Sequence, residues 1–240
     1  VIMEMKITLL PGDGIGPEII SASEKIILYA AEKFNLNIKL SEHLIGGSSI
    51  DQYGIPLTKE TLAACLNSDA VLLGAVGGYK WDGLENINKP ETALLQLRKE
   101  MELFTNIRPA KTYNSLLQTS PLKNEVAQGV DFIVFRELTG GIYFGEPRGK
   151  DSDRAYNTMF YTKEEIERIA REAFKAASKR KKHLTNVHKA NVLEVSQLWQ
   201  SVVKEIHEKE FSEIELTNMY VDNAAMQMIL NPTQFDVILT

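Results

Sequence analysis

Short, dense apolar runs alternate along this chain with longer stretches whose apolar positions recur at helical spacing. Residues 6–10 predict a buried strand, and Pro17 stands in the first turn of a helix that runs to about Lys33. Residues 36–40 predict a second strand, 58–66 a helix and 70–73 a third strand. This alternation is that of an α/β layer with a mainly parallel sheet. Residues 91–103 predict an amphipathic helix whose apolar positions are Leu94, Leu95, Leu97, Met101 and Leu103. Arg108-Pro109 then reads as extended, because proline disfavours helix in the residue before it. A polar, turn-rich stretch at 111–125 marks a change of composition. The domain boundary is expected near 103–110, between an N-terminal portion at 1–103 and a second domain at 104–240.

In the second region residues 130–135 predict a strand, and 140–145 a turn entering a short strand. Residues 155–161 would return as the hairpin partner of that strand, with a polar tip at 146–154. Thr162 is expected to cap a helix over 163–178, with Glu165 at the capping-box position. A strand near 183–187, a helix across 195–208, a strand at 214–219, a helix from Asp222 through Leu230 and an apolar strand at 235–239 complete the order.

Composition narrows the picture without naming a function. The chain has 240 residues, 44% of them hydrophobic, and a formal net charge of -5 with both signs interspersed. Nothing in that balance calls for nucleic acid or an anionic membrane, and no stretch resembles a membrane span or a secretory signal. The densest basic run, at 180–183, is expected to be a solvated helix end. Cys65 is the single cysteine, so an intrachain disulfide and a cysteine-rich metal site are excluded, and a buried small hydrophobe is expected there. Residues 1–5 read as an irregular leader, with Met3 and Met5 as alternative starts.

Several residues can carry chemistry. The alternate glycines at 12, 14 and 16 suit an exposed strand-to-helix turn, though the spacing is not that of a Rossmann fingerprint. Arg98, Arg108 and Arg136 could each make a structural ion pair or hold a carboxylate through paired hydrogen bonds; three in one pocket would imply a substrate with more than one carboxylate. Tyr143, flanked by glycines, is either a core aromatic or a proton donor to an enolate. Lys189, beyond a strand, is either solvent-facing or positioned to take a proton from a substrate hydroxyl. Asp222 can cap a helix or offer oxygen to Mg²⁺ or Mn²⁺. Asp236, inside an apolar run, is expected to be a structural or edge feature. The histidines show no zinc spacing, and neither a nucleophile elbow nor a Walker loop is present.

Six strings together resemble the isocitrate/isopropylmalate, or β-decarboxylating, dehydrogenase family. They are Leu-Pro-Gly-Asp-Gly-Ile-Gly-Pro-Glu at 10–18, Pro-Glu-Thr-Ala-Leu-Leu-Gln-Leu-Arg-Lys at 90–99 and Asn-Ile-Arg-Pro-Ala at 106–110. Downstream are Phe-Arg-Glu-Leu-Thr-Gly-Gly-Ile-Tyr-Phe-Gly at 135–145, Lys-Ala-Asn-Val-Leu at 189–193 and Val-Asp-Asn-Ala-Ala-Met-Gln at 221–227. The resemblance implies a two-domain α/β fold with layered sheets and helices, the first domain incomplete. It implies binding of the malate part of 3-isopropylmalate by Arg98, Arg108 and Arg136, and an apolar wall at Leu94 and Leu95 beside Glu91. Tyr143 and Lys189 would be the acid–base pair, Asp222 a metal ligand, and Ile15 and Glu91 cofactor contacts. NAD would accept a hydride and Mg²⁺ or Mn²⁺ would polarise oxygens. A cytoplasmic homodimer with shared active sites is implied, the 141–161 segment contributing to its interface.

Two departures from the family pattern stand out. His188 occupies the position before Lys189 where the family usually has aspartate. The family also continues past the position of Thr240 with further metal-binding aspartates and the main adenosine-binding segment, so little turnover is expected of this stretch alone. A tartrate or other alkylmalate dehydrogenase and a non-catalytic dimerisation fragment are the alternatives.

Overall fold

The computed structural model describes residues 4–240, apart from the side chain of Asn86. The expected leader at 1–5 falls mostly outside the described residues, and Met5 already belongs to the first strand. The chain divides into two compact units, Val1–Glu102 and Leu103–Thr240.

The first unit runs β1 (Met5–Gly12), α1 (Gly16–Lys33), β2 (Ile38–Glu42), α2 (Gly47–Tyr53), α3 (Lys59–Leu66), β3 (Ala70–Ala75) and α4 (Glu91–Glu100), with short 3₁₀ turns at Tyr79–Trp81 and Asn86–Asn88. Its strands lie in the order β2-β1-β3 and pair in parallel, Lys6 opposite Lys39 and Leu9 opposite Leu72. β2 starts later than its apolar run predicts, because Asn35 (φ 52°) and Leu36, whose N–H donates to the Ala31 carbonyl, complete the end of α1. α2 is an element that hydrophobic spacing did not announce; it is seven residues long, with left-handed glycines at 46 and 54 on either side. Thr58 caps α3 by accepting the Thr61 N–H at 3.1 Å. Leu10, Ile45, Leu57, Cys65, Ala93 and Leu97 form the core of this unit. Cys65 is fully buried as expected, and burial pushes its thiol pKa up. α4 stops at Glu100, short of the expected 103, because Glu102 turns left-handed (φ 53°).

The second unit runs β4 (Thr105–Lys111), α5 (Asn124–Ala127), β5 (Asp131–Glu137), β6 (Gly149–Lys150), β7 (Ala155–Tyr156), α6 (Lys163–Ser178), β8 (His183–His188), α7 (Glu194–Glu210), β9 (Glu215–Tyr220), α8 (Val221–Leu230) and β10 (Val237–Leu239). The main sheet has the order β4-β5-β10-β8-β9. Only β4 runs antiparallel, and Pro109 is tolerated there because β4 is an edge. Side chains alternate across the sheet. Phe135, Leu184, Val237 and Leu239 face α6 and α7 in one core, while Phe132, Val187 and Ile238 share a second core with Ala224 of α8. Thr162 and Glu165 make the expected capping box at the start of α6.

Three expectations change here. The segment after β5 does not enter a strand; Gly141–Tyr143 is a 3₁₀ turn, closed by the Phe144 N–H on the Gly141 carbonyl. Its cause is non-local: Gly140 and Gly141 pack so closely on the Tyr161 ring that any Cβ would meet it within 3 Å. The hairpin is correspondingly small, pairing only Gly149–Lys150 with Ala155–Tyr156. The basic run is not merely solvated either. Arg180 donates to Asp131 Oδ1 and to the buried Asp236 Oδ1, each at 2.8 Å, which makes Asp236 structural in the middle of the sheet. No helix among the described residues is long and apolar enough to cross a membrane.

Candidate active site

The glycine-rich turn after β1 is built by close approach. A Cβ on Gly12 would lie 1.9 Å from the Ala75 carbonyl oxygen, and one on Gly16 would lie 2.0 Å from that of Pro11. Between them Asp13 is buried, its carboxylate accepting the N–H groups of Gly47, Ser48 and Gly77 at 2.7–2.8 Å. Three donors, two from the first turn of α2 and one from the segment after β3, thus pin the turn. Gly14 has open space around it and Ile15 is exposed, so both lie free at the carboxyl end of β1, where parallel α/β sheets receive ligands. That position fits a cofactor approaching Ile15.

α4 explains how four predicted site residues sit together. Glu91, Leu94, Leu95 and Arg98 are spaced i, i+3, i+4 and i+7, one face of a helix. Ala93 and Leu97 turn the other way into the core. The face offers two half-buried leucines between an acid and a guanidinium. Glu91 lies against Gly77, where an added Cβ would come within 2.5 Å of its Oε1.

In the second unit, Arg108 on β4 and Arg136 on β5 share one sheet face, since Arg108 pairs with Val134 and Asn106 with Arg136. The Arg108 Nε donates to Asn106 Oδ1 at 2.5 Å. Arg136 donates to the Tyr143 hydroxyl at 3.0 Å, with the guanidinium 5.5 Å from the ring centroid. Tyr143 remains exposed, on the 3₁₀ turn rather than in the expected strand. The turn is held from behind by Glu137, which pattern reading did not single out. Its buried carboxylate accepts the Thr139 and Gly140 N–H groups at 2.9 and 2.8 Å, the Thr139 hydroxyl at 2.6 Å and the Arg168 guanidinium at 3.2 Å. Tyr161, also unforeseen, packs beneath the same glycines. Burial first, and the nearby Glu137 charge second, push its hydroxyl pKa up to about 12. It stays protonated, and its ring packs edge-on against Trp199.

Lys189 follows the carboxyl end of β8 and Asp222 lies in the first turn of α8 after β9. Because β8 and β9 are parallel neighbours, with His188 opposite Tyr220, the two come together: Lys189 Nζ donates to Asp222 Oδ1 at 2.5 Å. That hydrogen bond holds the Asp222 carboxyl below its usual range. Asp222 is therefore not the helix cap; Tyr220 occupies the cap position, and the carboxylate is turned to lysine instead. Arg136, Lys189 and Asp222 all stand at the carboxyl edge of the parallel strands.

Asp222 is an exposed hard-oxygen donor, the type that suits Mg²⁺ or Mn²⁺. Such ions take about six oxygens. Among the described residues no group of three or more His, Cys, Asp or Glu converges on a common point. The donor type fits, and Asp222 could supply one oxygen of such a set.

Comparison with known proteins gives the family. The family model described as isocitrate/isopropylmalate dehydrogenase matches residues 6–240. A protein of Chlorobaculum tepidum named 3-isopropylmalate dehydrogenase is 57% identical over 239 residues, 99% of this chain and 68% of that one. One of the same name from Wolinella succinogenes is 52% identical, covering 98% of this chain and 65% of that one. The chain thus spans about two thirds of the length of these curated relatives. Among solved structures, isocitrate dehydrogenase from Methylococcus capsulatus superposes with a TM-score of 0.80 at 30% identity, over 98% of this chain and 66% of that one. A β-decarboxylating dehydrogenase from Thermococcus kodakarensis gives 0.72 at 28% identity, over 98% and 63%. The chain belongs to the isocitrate/isopropylmalate dehydrogenase family.

Proposed function

We propose that the protein containing this chain is a 3-isopropylmalate dehydrogenase of leucine biosynthesis, which oxidises 3-isopropylmalate with NAD and releases CO₂ to leave 2-oxo-4-methylpentanoate. The observation that carries this is the single face of α4, where Leu94 and Leu95 lie between Glu91 and Arg98. An alkyl group can pack on the leucines, whereas a third carboxylate, as in isocitrate, would meet them unpaired and at a cost. The same name on relatives 52 to 57% identical supports it.

In this mechanism Arg98, Arg108 and Arg136 bind the two carboxylates. Lys189 takes the proton of the C2 hydroxyl. NAD, when held beside Ile15 and Glu91, would supply the acceptor for the hydride leaving C2. The bond from C3 to its carboxylate then breaks, CO₂ leaves and the electron pair forms an enolate across C2 and C3. The Tyr143 hydroxyl delivers its proton to C3, and the Arg136 hydrogen bond stabilises the charge left on oxygen. A divalent cation held partly by Asp222 would polarise the C2 oxygen. Two copies in the cytoplasm share their sites, Lys189 and Asp222 completing the partner's pocket.

The test is a substrate panel on the protein from its complete coding region, with NAD and Mn²⁺. kcat/KM for 3-isopropylmalate should exceed that for malate by about 10–200-fold, the worth of an apolar pocket contact. Leu94→Ala should shrink that ratio. Equal or better turnover of isocitrate or tartrate would overturn the assignment.

A further inference from the structure

The strand end that presents Lys189 carries a polar chain that begins with a buried, donor-only group. The Trp199 indole N–H can only donate, and it donates to Asn186 Oδ1 at 2.8 Å. That orients the Asn186 amide, whose Nδ2 then donates to Asn218 Oδ1 at 2.9 Å across β8 and β9. Asn218 Oδ1 is therefore an acceptor. His188 Nε2, 3.3 Å from the same oxygen, must carry a hydrogen. The ring is edge-on to Tyr220, centroids 5.9 Å apart. His188 Nδ1 faces the Ala190 N–H at 3.2 Å, and a backbone N–H can only donate. The two ends of the chain thus demand one state: a neutral imidazole, hydrogen on Nε2, Nδ1 bare. Burial, which lowers the pKa of His188, favours that neutral form.

The Ala190 N–H belongs to the peptide that joins Lys189 to Ala190. The other end of this peptide, the Lys189 carbonyl, accepts the N–H groups of Val192 and Leu193, both at 3.0 Å. The Gln197 amide holds the following carbonyl, that of Ala190, at 3.1 Å. The peptide plane is clamped at both ends, with the His188 ring on its N–H side. The plane sets the direction in which the Lys189 side chain leaves the strand, toward Asp222 at 2.5 Å.

We infer that His188 is a positioning residue for Lys189: locked as the Nε2–H tautomer by Trp199, Asn186 and Asn218, it uses bare Nδ1 to fix the peptide after the proposed base. The inference rests on the proposed function only for the importance of Lys189; the hydrogen-bond chain itself needs no substrate. It also explains how this chain works with histidine rather than a carboxylate before the lysine, since an acceptor is what the Ala190 N–H requires.

Long-range ¹H–¹⁵N spectra of the ¹⁵N-labelled protein should show His188 protonated on Nε2, with a through-hydrogen-bond coupling between Nδ1 and the Ala190 nitrogen. His188→Asn keeps an acceptor near Nδ1 and should leave Ala190 amide exchange within about twofold, whereas His188→Gln retains only the Nε2 side and should speed it about tenfold or more. With 3-isopropylmalate as substrate, kcat should follow the same order while KM for NAD stays constant. An Nδ1–H tautomer, a missing coupling, or equal exchange in the two variants would overturn the inference. If His188→Gln does not fold, the tautomer and coupling of the unsubstituted protein decide. A wrong substrate assignment would appear in the substrate panel and leave these spectra unchanged.

Discussion

Arg136 and Tyr143, seven residues apart, meet twice: through a 3.0 Å hydrogen bond to the phenolic oxygen and through the guanidinium stacked toward the ring. The stacking survives loss of the hydroxyl, so Tyr143→Phe separates position from chemistry. It should lower kcat with 3-isopropylmalate by about 10²–10⁴-fold with little change in KM, the usual worth of a positioned proton donor. Steady-state NADH formation measures this, and an undiminished kcat would remove Tyr143 from the mechanism.

Glu137 is the anchor behind that turn, with a fully buried side chain and four donors upon it. Glu137→Ala leaves the Thr139 and Gly140 N–H groups without their acceptor and removes the charge partner of Arg168, which keeps only the Thr139 hydroxyl. A loss of about 1–3 kcal/mol for each N–H left unpaired is expected in urea unfolding. Glu137→Gln retains one acceptor oxygen and should lose less.

The glycines of the first turn divide into two classes. Gly12 combines φ +70° with a carbonyl oxygen 1.9 Å from any added Cβ, so Gly12→Ala must push β1 away from β3. Gly14 has φ +56° and empty space around it, so Gly14→Ala should cost only about 1–2 kcal/mol of backbone strain. Thermal unfolding should rank Gly12→Ala well below Gly14→Ala; the reverse order would show that the turn is not held by close approach.

Tyr161 predicts an alkaline loss of stability. An unfolded tyrosine loses its proton near pH 10, and folded Tyr161 retains its proton to about 12. Below pH 10 both states are protonated and this contribution is fully present. As pH rises from 10 through 12 the unfolded chain binds fewer protons than the folded one, so stability falls, on the order of 2 kcal/mol across the window. Urea unfolding across this window should show the slope in the parent and a shallower one in Tyr161→Phe.

The regular elements were legible where periodicity and local chemistry agree. α6 is the clearest case, with its Thr162–Glu165 capping box and a continuous buried stripe from Ile166 to Ala177. Local signals failed where distant partners decide. A glycine-flanked apolar run at 140–145 looks like a strand until Tyr161 is packed beneath it. Asp222 looks like a cap until β8 brings Lys189 alongside. Asp13, Glu137, Asp236 and the His188–Asn218 pair take hydrogen bonds from residues 30 or more positions away, so no window of sequence reveals them. The residues proposed for substrate and cofactor came from six strings of resemblance, and geometry adds which of them are neighbours within each unit.

β10 joins two half-sheets that otherwise share no ladder. Val237 lies opposite Ile133 on one side and Leu184 on the other, so β4–β5 and β8–β9 stay separate until this short strand slots between them. A nascent polypeptide exposing everything through Leu230 would hold both halves with their central apolar faces unsealed. Assembly of the second unit must therefore wait for its most sequence-distant pairing, a slow step. Chaperone capture during synthesis would fall on that interval.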